Sequence, residues 1–432
     1  MNRKMRNRLL LLLAFTCVVR ICVLFALGEQ LSASIKQDVD LYLHLGTSLA
    51  DSSTYALDGN PTAFRPALYP VLLAVGLKLG LSAKLWIVIL HLLLAVGTVW
   101  ITVLLGQQIK NEKTGWLAGL LVTFDPILLN QSVLVMTETL ATFLAVLSIW
   151  RVAKLLDHPG LLNGLLTAIA FGLAGYCRPT FYVYALLTLV LLLFTLQTSL
   201  GKRLMTTFAM GCVVLLTLSP WVYRNYQLFD KPVLATTHGG YTLLLGNNPL
   251  YYQQAKQQLN NSDSIYEAQA FDEGVLRFNV SEDPGFDFWS AEASLKEAII
   301  SRNEVERDAF CYAVAFHHIR ANQVSFANGC LTRLKAFWTP LPAEIPGERS
   351  DIQRYAVGLW YVLIYLLVAN FTLFHTRKWA HSGLLAGLSM IIAFSLMHTV
   401  FWSNMRMRAP LIPVLCLVAA ISFLGTRTEA DS

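Results

Sequence analysis

The sequence predicts an all-α membrane protein, a bundle of about ten transmembrane helices joined to a mixed α/β or mainly helical extracytoplasmic domain. Three observations carry that prediction. Hydrophobic residues fill 55% of the 432 positions and charged residues only 14%, against roughly 25% charged in an ordinary soluble domain; mean hydropathy is +0.52. A water-soluble fold of this length has nowhere to hide so much apolar surface, whereas helices facing lipid have no need to hide it. Apolar runs of about 20 residues, the length that crosses a bilayer core, recur along the chain. Basic residues gather in the short loops between them. The formal charge of +6 is therefore a record of topology, not a stripe for nucleic acid, and membrane lipids are the expected surroundings.

Taken in order, the chain starts MNRKMRNRLLLLLAFTCVVRICVLFALG, a basic lead and a long apolar run, with SAS following in imitation of a signal-peptidase site. The run exceeds the about 7–15 apolar residues of a cleaved signal, so it reads as a retained first helix. Arg20 within it faces the bundle or snorkels to an interface, because a lipid-facing charge at mid-bilayer costs at least about 2.5 kcal/mol. Further spans are expected near 85–107, 114–133, 138–156, 161–177, 180–199, 204–220, 356–374, 382–402 and 409–425. Lys110 with Lys113, Arg151 with Lys154, Lys202 with Arg203 and Arg377 with Lys378 fall in alternate loops on the side of the N-terminus. The positive-inside rule makes that side cytoplasmic and puts both termini there.

The opposite face receives two long polar segments, and the chain divides accordingly. Residues 1–220 form an N-terminal transmembrane module with a first outer loop at 29–84, residues 221–355 an extracytoplasmic domain, and residues 356–432 the C-terminal helices. The domain contains a turn-rich piece, SEDPGFDFWS, and a charged helical piece, KEAIISRNEVERDAFCYAVAFHHIRAN. Of seven cysteines, Cys311 and Cys330 lie in this polar region and could pair in an oxidising compartment. No C-x-x-C pair is present, His317 and His318 lack a second ligand pair, and no P-loop, G-x-G-x-x-G or HExxH occurs. No cofactor is demanded, and a divalent metal is compatible with the acids.

Chemistry-bearing residues cluster at the outer ends of the spans. Asp38 and Asp40 follow the first helix; they are either a solvated helix end or a general base, since a carboxylate held near apolar surface has its pKa raised. In DGNPTAFRPALYP, Arg65 stands between Pro61 and Pro66, which stiffen the backbone and disfavour helix. Its planar fork suits a phosphate or serves as an interfacial anchor. Glu138, in VLVMTETLATFLAV, is a lone acid between two apolar spans. Arg178 in GYCRPTFY, Arg224 in LSPWVYRNYQLF, and Arg406 with Arg408 in FWSNMRMRAPLIP repeat the pairing of arginine with a nearby proline. His238 begins HGGY, and Asn247 lies in GNNP; this glycine-rich, amide-bearing stretch binds sugar hydroxyls or makes a tight turn in the domain's first strands. His44 and His398 read as satisfied residues at helix ends, and Trp221, Tyr223, Tyr226, Phe337 and Trp338 as belt aromatics.

In order, DVDLYLHLGTSLA, YALDGNPTAFRPALYP, TET, CRPT, SPWVYRNYQLFDKPVLATTHGGYTLLLGNNP and MRMRAPLIP resemble the serial motifs of the GT-C glycosyltransferases. The branch is the ArnT-like or protein-mannosyltransferase-like group, which uses polyprenyl-phosphate sugars, and the resemblance runs through nearly the whole chain. It implies an active site at the outer membrane face, between the bundle and the extracytoplasmic domain. The family's D-x-x-x-Y selects Asp38 as base with Tyr42, leaving Asp40 as an extra acid. Where relatives have R-P-P-x-Y-P, this chain has Arg65-Pro66-Ala67-Leu68-Tyr69-Pro70, losing one proline and keeping the arginine and tyrosine. Glu138 carries the second acidic motif, and Arg65, Arg178, Arg224 and Arg406 all remain candidates for the donor phosphate.

The expected activity is transfer of a sugar from a polyprenyl-phosphate donor to a lipid, glycan or protein acceptor at the outer face of the cytoplasmic membrane. A phosphate leaving group calls for fixed positive charge, and a single base predicts inversion at the anomeric carbon. Two rival classes share the composition: a transporter or flippase of lipid-linked sugars, and a non-catalytic subunit of an envelope-assembly complex. Transporters place charged sites near mid-bilayer, often in repeated halves; here the acids and arginines gather at one rim.

Overall fold

The computed structural model describes residues 3–260, 299, 301–342, 350–375, 379 and 381–425. SEDPGFDFWS and the Arg377–Lys378 pair lie outside the described residues. The chain is a multi-pass membrane protein in which, among the described residues, seven helices are long and apolar enough to cross a bilayer. They lie within α1 (Arg3–Ala26), α5 (Ala83–Ile109), α8 (Glu138–Asp157), α11 (Leu200–Phe229), α16 (Asp351–Phe374) and α17 (Ser382–Val400), with the seventh made by a 3-10 turn at Met405–Leu411 continuing into α18 (Ile412–Phe423). Two more of the expected spans are shorter apolar helices, α9 (Leu161–Cys177) and α10 (Thr180–Thr195).

The tenth expected span, 114–133, is not one helix. It is broken into α6 (Glu112–Phe124) and α7 (Pro126–Gln131). Pro126 lacks the N–H that a continuous helix needs, and Asp125 caps the new start by accepting the Leu128 N–H at 3.0 Å. The carboxylate is buried and also takes the Tyr361 hydroxyl at 2.9 Å and the Trp360 indole N–H at 3.3 Å. Arg20 faces the same region, donating to the Leu128 carbonyl at 2.6 Å, so of its two options it takes the bundle interior.

Packing follows side-chain size. α5 lies along α6 and α8, α8 along α9, and α9 along α11; α6 also packs on α18, and α18 on α16. Ala141, Ala145, Ser148 and Val152, spaced at helical intervals along α8, are fully buried. In the absence of a hydrophobic drive between helices in lipid, small residues allow the close approach that dispersion requires. Leu11, Phe15 and Phe25 of α1, Phe208 and Leu216 of α11, and Leu359 and Phe374 of α16 point outward, as lipid-facing helices should.

The first polar segment folds as α2 (Gly28–Gln37), α3 (Tyr42–Ser52), a two-stranded antiparallel turn pairing Ala56–Leu57 with Asn60–Pro61, and α4 (Leu68–Lys78). The described part of the second is helical: α12 (Gly239–Gly246), α13 (Pro249–Asn260), α14 (Glu304–Ala321) and α15 (Gln323–Trp338). HGGY thus opens a helix and is not a turn between strands. A Cβ at Gly240 would strike the Asp308 carbonyl oxygen, which explains a glycine where α12 crosses α14. Cys311 and Cys330 are separate thiols on α14 and α15. The two polar segments pack together at one end of the bundle, joined by hydrogen bonds from Thr62 and Ala63 to Glu304.

Helices α5 and α6 approach closely through glycine. A Cβ at Gly115 would collide with the Val103 carbonyl oxygen, and one at Gly106 would lie 2.5 Å from the Gly115 Cα. Both obstacles are backbone. Alanine at 115 gains about 1 kcal/mol of helix propensity but overpacking costs about 1–3 kcal/mol. Gly115→Ala is therefore expected to lose up to about 2 kcal/mol net, read as a lower thermal midpoint of the purified protein in detergent; a higher midpoint would show that α5 and α6 can move apart.

Candidate functional site

The site grows from a backbone reversal after α2. Asp38 (φ 38°) and Leu41 (φ 58°) both adopt the left-handed conformation that non-glycine residues avoid, and the Leu41 N–H donates to the Asp38 carbonyl at 2.7 Å. Leu41 occupies the cap position of α3 but has no side-chain oxygen. Asp38 supplies it from three residues back: Oδ1 accepts the Leu43 N–H at 3.1 Å and Oδ2 the His44 N–H at 2.7 Å. Burial pushes the Asp38 carboxyl above the usual range, with the nearby Asp40 adding to it, and outweighs the opposite pull of the two N–H groups. Each oxygen holds one N–H and retains capacity for a further donor.

The reversal turns Asp40 inward onto Arg65. Its Oδ1 receives a guanidinium N–H at 2.6 Å, and its carbonyl accepts from Arg65 Nε at 3.1 Å. Both side chains are over nine-tenths buried. The Arg65 cation also stands 4.7 Å from the Phe64 ring centre and 5.6 Å from that of Tyr42.

A second set of charges meets at Glu138, the first residue of α8. Arg178 approaches its Oε1 to 2.9 Å and Arg406 to 3.5 Å. The contact to Arg178 is a close, buried ion pair, and that to Arg406 a longer one. Arg178 also donates to Thr137 Oγ1 at 2.9 Å. Tyr42 links the two sets: Arg65 and Asp40, then Arg178 and Glu138, all act electrostatically on its buried hydroxyl. Its ring packs edge-on against Tyr69 at 5.4 Å, and the Tyr69 hydroxyl meets His91 Nε2 at 2.8 Å, whose Nδ1 lies 2.9 Å from the Ser132 carbonyl.

The remaining sequence candidates join neither arginine–carboxylate set. Arg224 donates to the carbonyls of Thr62 at 2.6 Å and Tyr55 at 2.8 Å, holding the first-segment turn. His238 packs against Phe64 at 4.8 Å, and burial holds its imidazole well below its ordinary pKa, with Arg65 adding to the effect. Asn247 is buried and bridges the Leu243 and Val400 carbonyls. Among the described residues no three His, Cys, Asp or Glu side chains gather as a metal set; Asp40 and Glu138 face guanidiniums instead. His91 and Glu304 were missed by sequence reasoning. An isolated histidine within an apolar run signals a buried partner but not which one.

Residues 65–223 match the family model described as dolichyl-phosphate-mannose-protein mannosyltransferase. The match takes in Arg65, Glu138 and Arg178 and ends just before Arg224. No curated protein matches the chain. Among solved structures it is similar to the oligosaccharyltransferase AglB of Archaeoglobus fulgidus in complex with an inhibitory peptide and a dolichol-phosphate, with 13% identity, a TM-score of 0.53, and coverage of 98% of this chain and 51% of that one. The apo form of the Archaeoglobus fulgidus oligosaccharyltransferase gives 13% identity, a TM-score of 0.53, and coverage of 95% and 50%. ArnT from Cupriavidus metallidurans bound to undecaprenyl phosphate aligns over 96% of this chain and 77% of that one at 12% identity, with a TM-score of 0.42. The chain spans about half the length of the archaeal chains it matches. It shares the fold of the archaeal oligosaccharyltransferase, and its residues 65–223 match the dolichyl-phosphate-mannose-protein mannosyltransferase family model.

Proposed function

We propose that the protein is an integral-membrane glycosyltransferase that moves a sugar from a polyprenyl-phosphate donor to a lipid, glycan or protein acceptor at the outer face of the cytoplasmic membrane. The observation that carries this reading is the presence of two buried arginine–carboxylate sets, Arg65 with Asp40 and Glu138 with Arg178 and Arg406, together with a separate buried acid, Asp38. The dolichol-phosphate in the archaeal neighbour and the family of residues 65–223 agree with a lipid-phosphate donor.

The chemistry follows from the charges. Asp38 accepts the proton of an acceptor hydroxyl while that oxygen bonds to the anomeric carbon from one face. The bond from that carbon to the phosphate oxygen breaks on the other face, so the anomeric centre inverts and polyprenyl phosphate departs with the electron pair. A phosphate is drawn to where guanidiniums meet, which favours Arg178 and Arg406. Asp40 holds Arg65 in place, with the guanidinium over the Tyr42 ring.

Proteoliposomes supplied with a labelled polyprenyl-phosphate sugar test the reading. Asp38→Asn keeps one of the two oxygens that accept α3 N–H groups and turns an amide NH₂ toward the other, so it should cost about 1 kcal/mol of capping and lower transfer by about 10²–10⁴-fold, the range of a lost general base. Movement of the label between leaflets without transfer would instead support a flippase.

The pH profile offers a second check. A base works only when deprotonated, so transfer should fall as pH drops through the Asp38 pKa, with the acid limb centred above the ordinary 3.8 of an aspartate. A limb at or below that value contradicts the assignment.

Asp40→Asn should behave differently from Asp38→Asn. It leaves a buried guanidinium without its counter-charge, a loss of about 3–5 kcal/mol when one partner of such a pair is removed. The expected result is a lowered thermal midpoint as well as lost transfer.

A further inference from the structure

Glu304 opens α14, yet its carboxylate serves the first polar segment. Oε2 accepts the Thr62 hydroxyl at 2.7 Å, and Oε1 accepts the Ala63 N–H at 2.8 Å and the Thr237 hydroxyl. The Thr237 N–H donates to the Ala63 carbonyl at 3.0 Å, closing the contact. On the other side of the same turn, Arg224 takes the carbonyls of Tyr55 and Thr62. The division is chemically matched: the anion holds N–H and O–H donors, the cation holds carbonyl acceptors, and the chain between them is Thr62–Ala63. Arg65 follows two residues later, with its own carbonyl accepting from the Tyr55 hydroxyl at 2.8 Å.

We propose that Glu304 is a positioning residue for the Asp40–Arg65 pair, holding the Thr62–Arg65 turn at the height where the guanidinium meets Asp40, and through Asp40 the start of α3 that Asp38 caps. Its effect on sugar transfer rests on the function proposed above; its effect on the turn does not. A local staple would steady only the groups it touches. A positioning residue also steadies the Asp38–His44 segment, which Glu304 does not touch.

Hydrogen-exchange mass spectrometry of the full chain in detergent separates the two. Glu304→Ala should speed exchange about tenfold or more across residues 56–67 and also across 38–45, while α8 and α18 remain protected. Thr62→Val, which removes one of the three contacts from the opposite side, should speed the same two segments by a smaller factor. Glu304→Gln, which keeps an accepting oxygen for Ala63, should return exchange to within about threefold of the parent. Faster exchange confined to 56–67 would reduce Glu304 to a local staple, unchanged exchange would remove the clamp altogether, and loss of protection throughout α8 would mean a global folding role; each overturns the proposal. In proteoliposomes that transfer sugar, Glu304→Ala should lower turnover about tenfold with recovery in Glu304→Gln. If the parent protein transfers nothing, the function proposed above fails while the exchange result still decides the role of Glu304.

Discussion

The contact between Asp40 and Arg65 sets the geometry at the polar end of the bundle. Two charges removed from water are tolerated only when each is met closely and the surrounding polar groups are also satisfied. Much of the neighbouring architecture serves that condition. The left-handed residues Asp38 and Leu41 turn Asp40 inward, the Tyr55 hydroxyl holds the Arg65 carbonyl, and Phe64 and Tyr42 cover the guanidinium. The same reversal frees Asp38 to cap α3. One tight turn thereby creates two buried carboxylates of different character, one neutralised by a cation and the other held by backbone dipoles with its pKa raised.

Arginines that look alike in sequence acquire distinct work from what surrounds them. Arg224 is engaged by main-chain carbonyls, Arg65 by a carboxylate, and Arg178 with Arg406 by a shared glutamate. Arg408 is fully buried, donates to the Phe337 carbonyl at 3.0 Å and lies 4.2 Å from the Tyr361 ring centre. The pattern of an arginine near a proline marks where irregular backbone leaves a helix end, and such backbone needs donors. Some of these cations meet that need, and others gather around Glu138.

Hydropathy made most of the helices legible, since lipid imposes a length and an apolar surface on any segment that crosses it. It misled at 114–133, where composition remains apolar but Pro126 removes a hydrogen-bond donor and Asp125 starts a new helix. HGGY was similarly ambiguous: glycine permits a turn, yet at Gly240 it is needed because α12 crosses α14 at a distance that no side chain allows. The charged stretch NEVERDAF could be recognised as a helix start, with Asn303 accepting the Glu306 N–H, but nothing local connects Glu304 to a threonine 242 residues earlier.

What the sequence by itself determined was class and inventory: a membrane bundle, two polar segments, and a set of acids and arginines at helix ends. These depend on composition and short-range periodicity, which each stretch of chain expresses alone. The pairing of those charges was decided only by the tertiary structure. Asp40 and not Asp38 takes Arg65, Glu138 takes Arg178 and Arg406, and Glu304 reaches the first-segment turn. Hydrogen bonds and close ion pairs form only within about 4 Å, so partners become definite only when folding brings distant segments within that range.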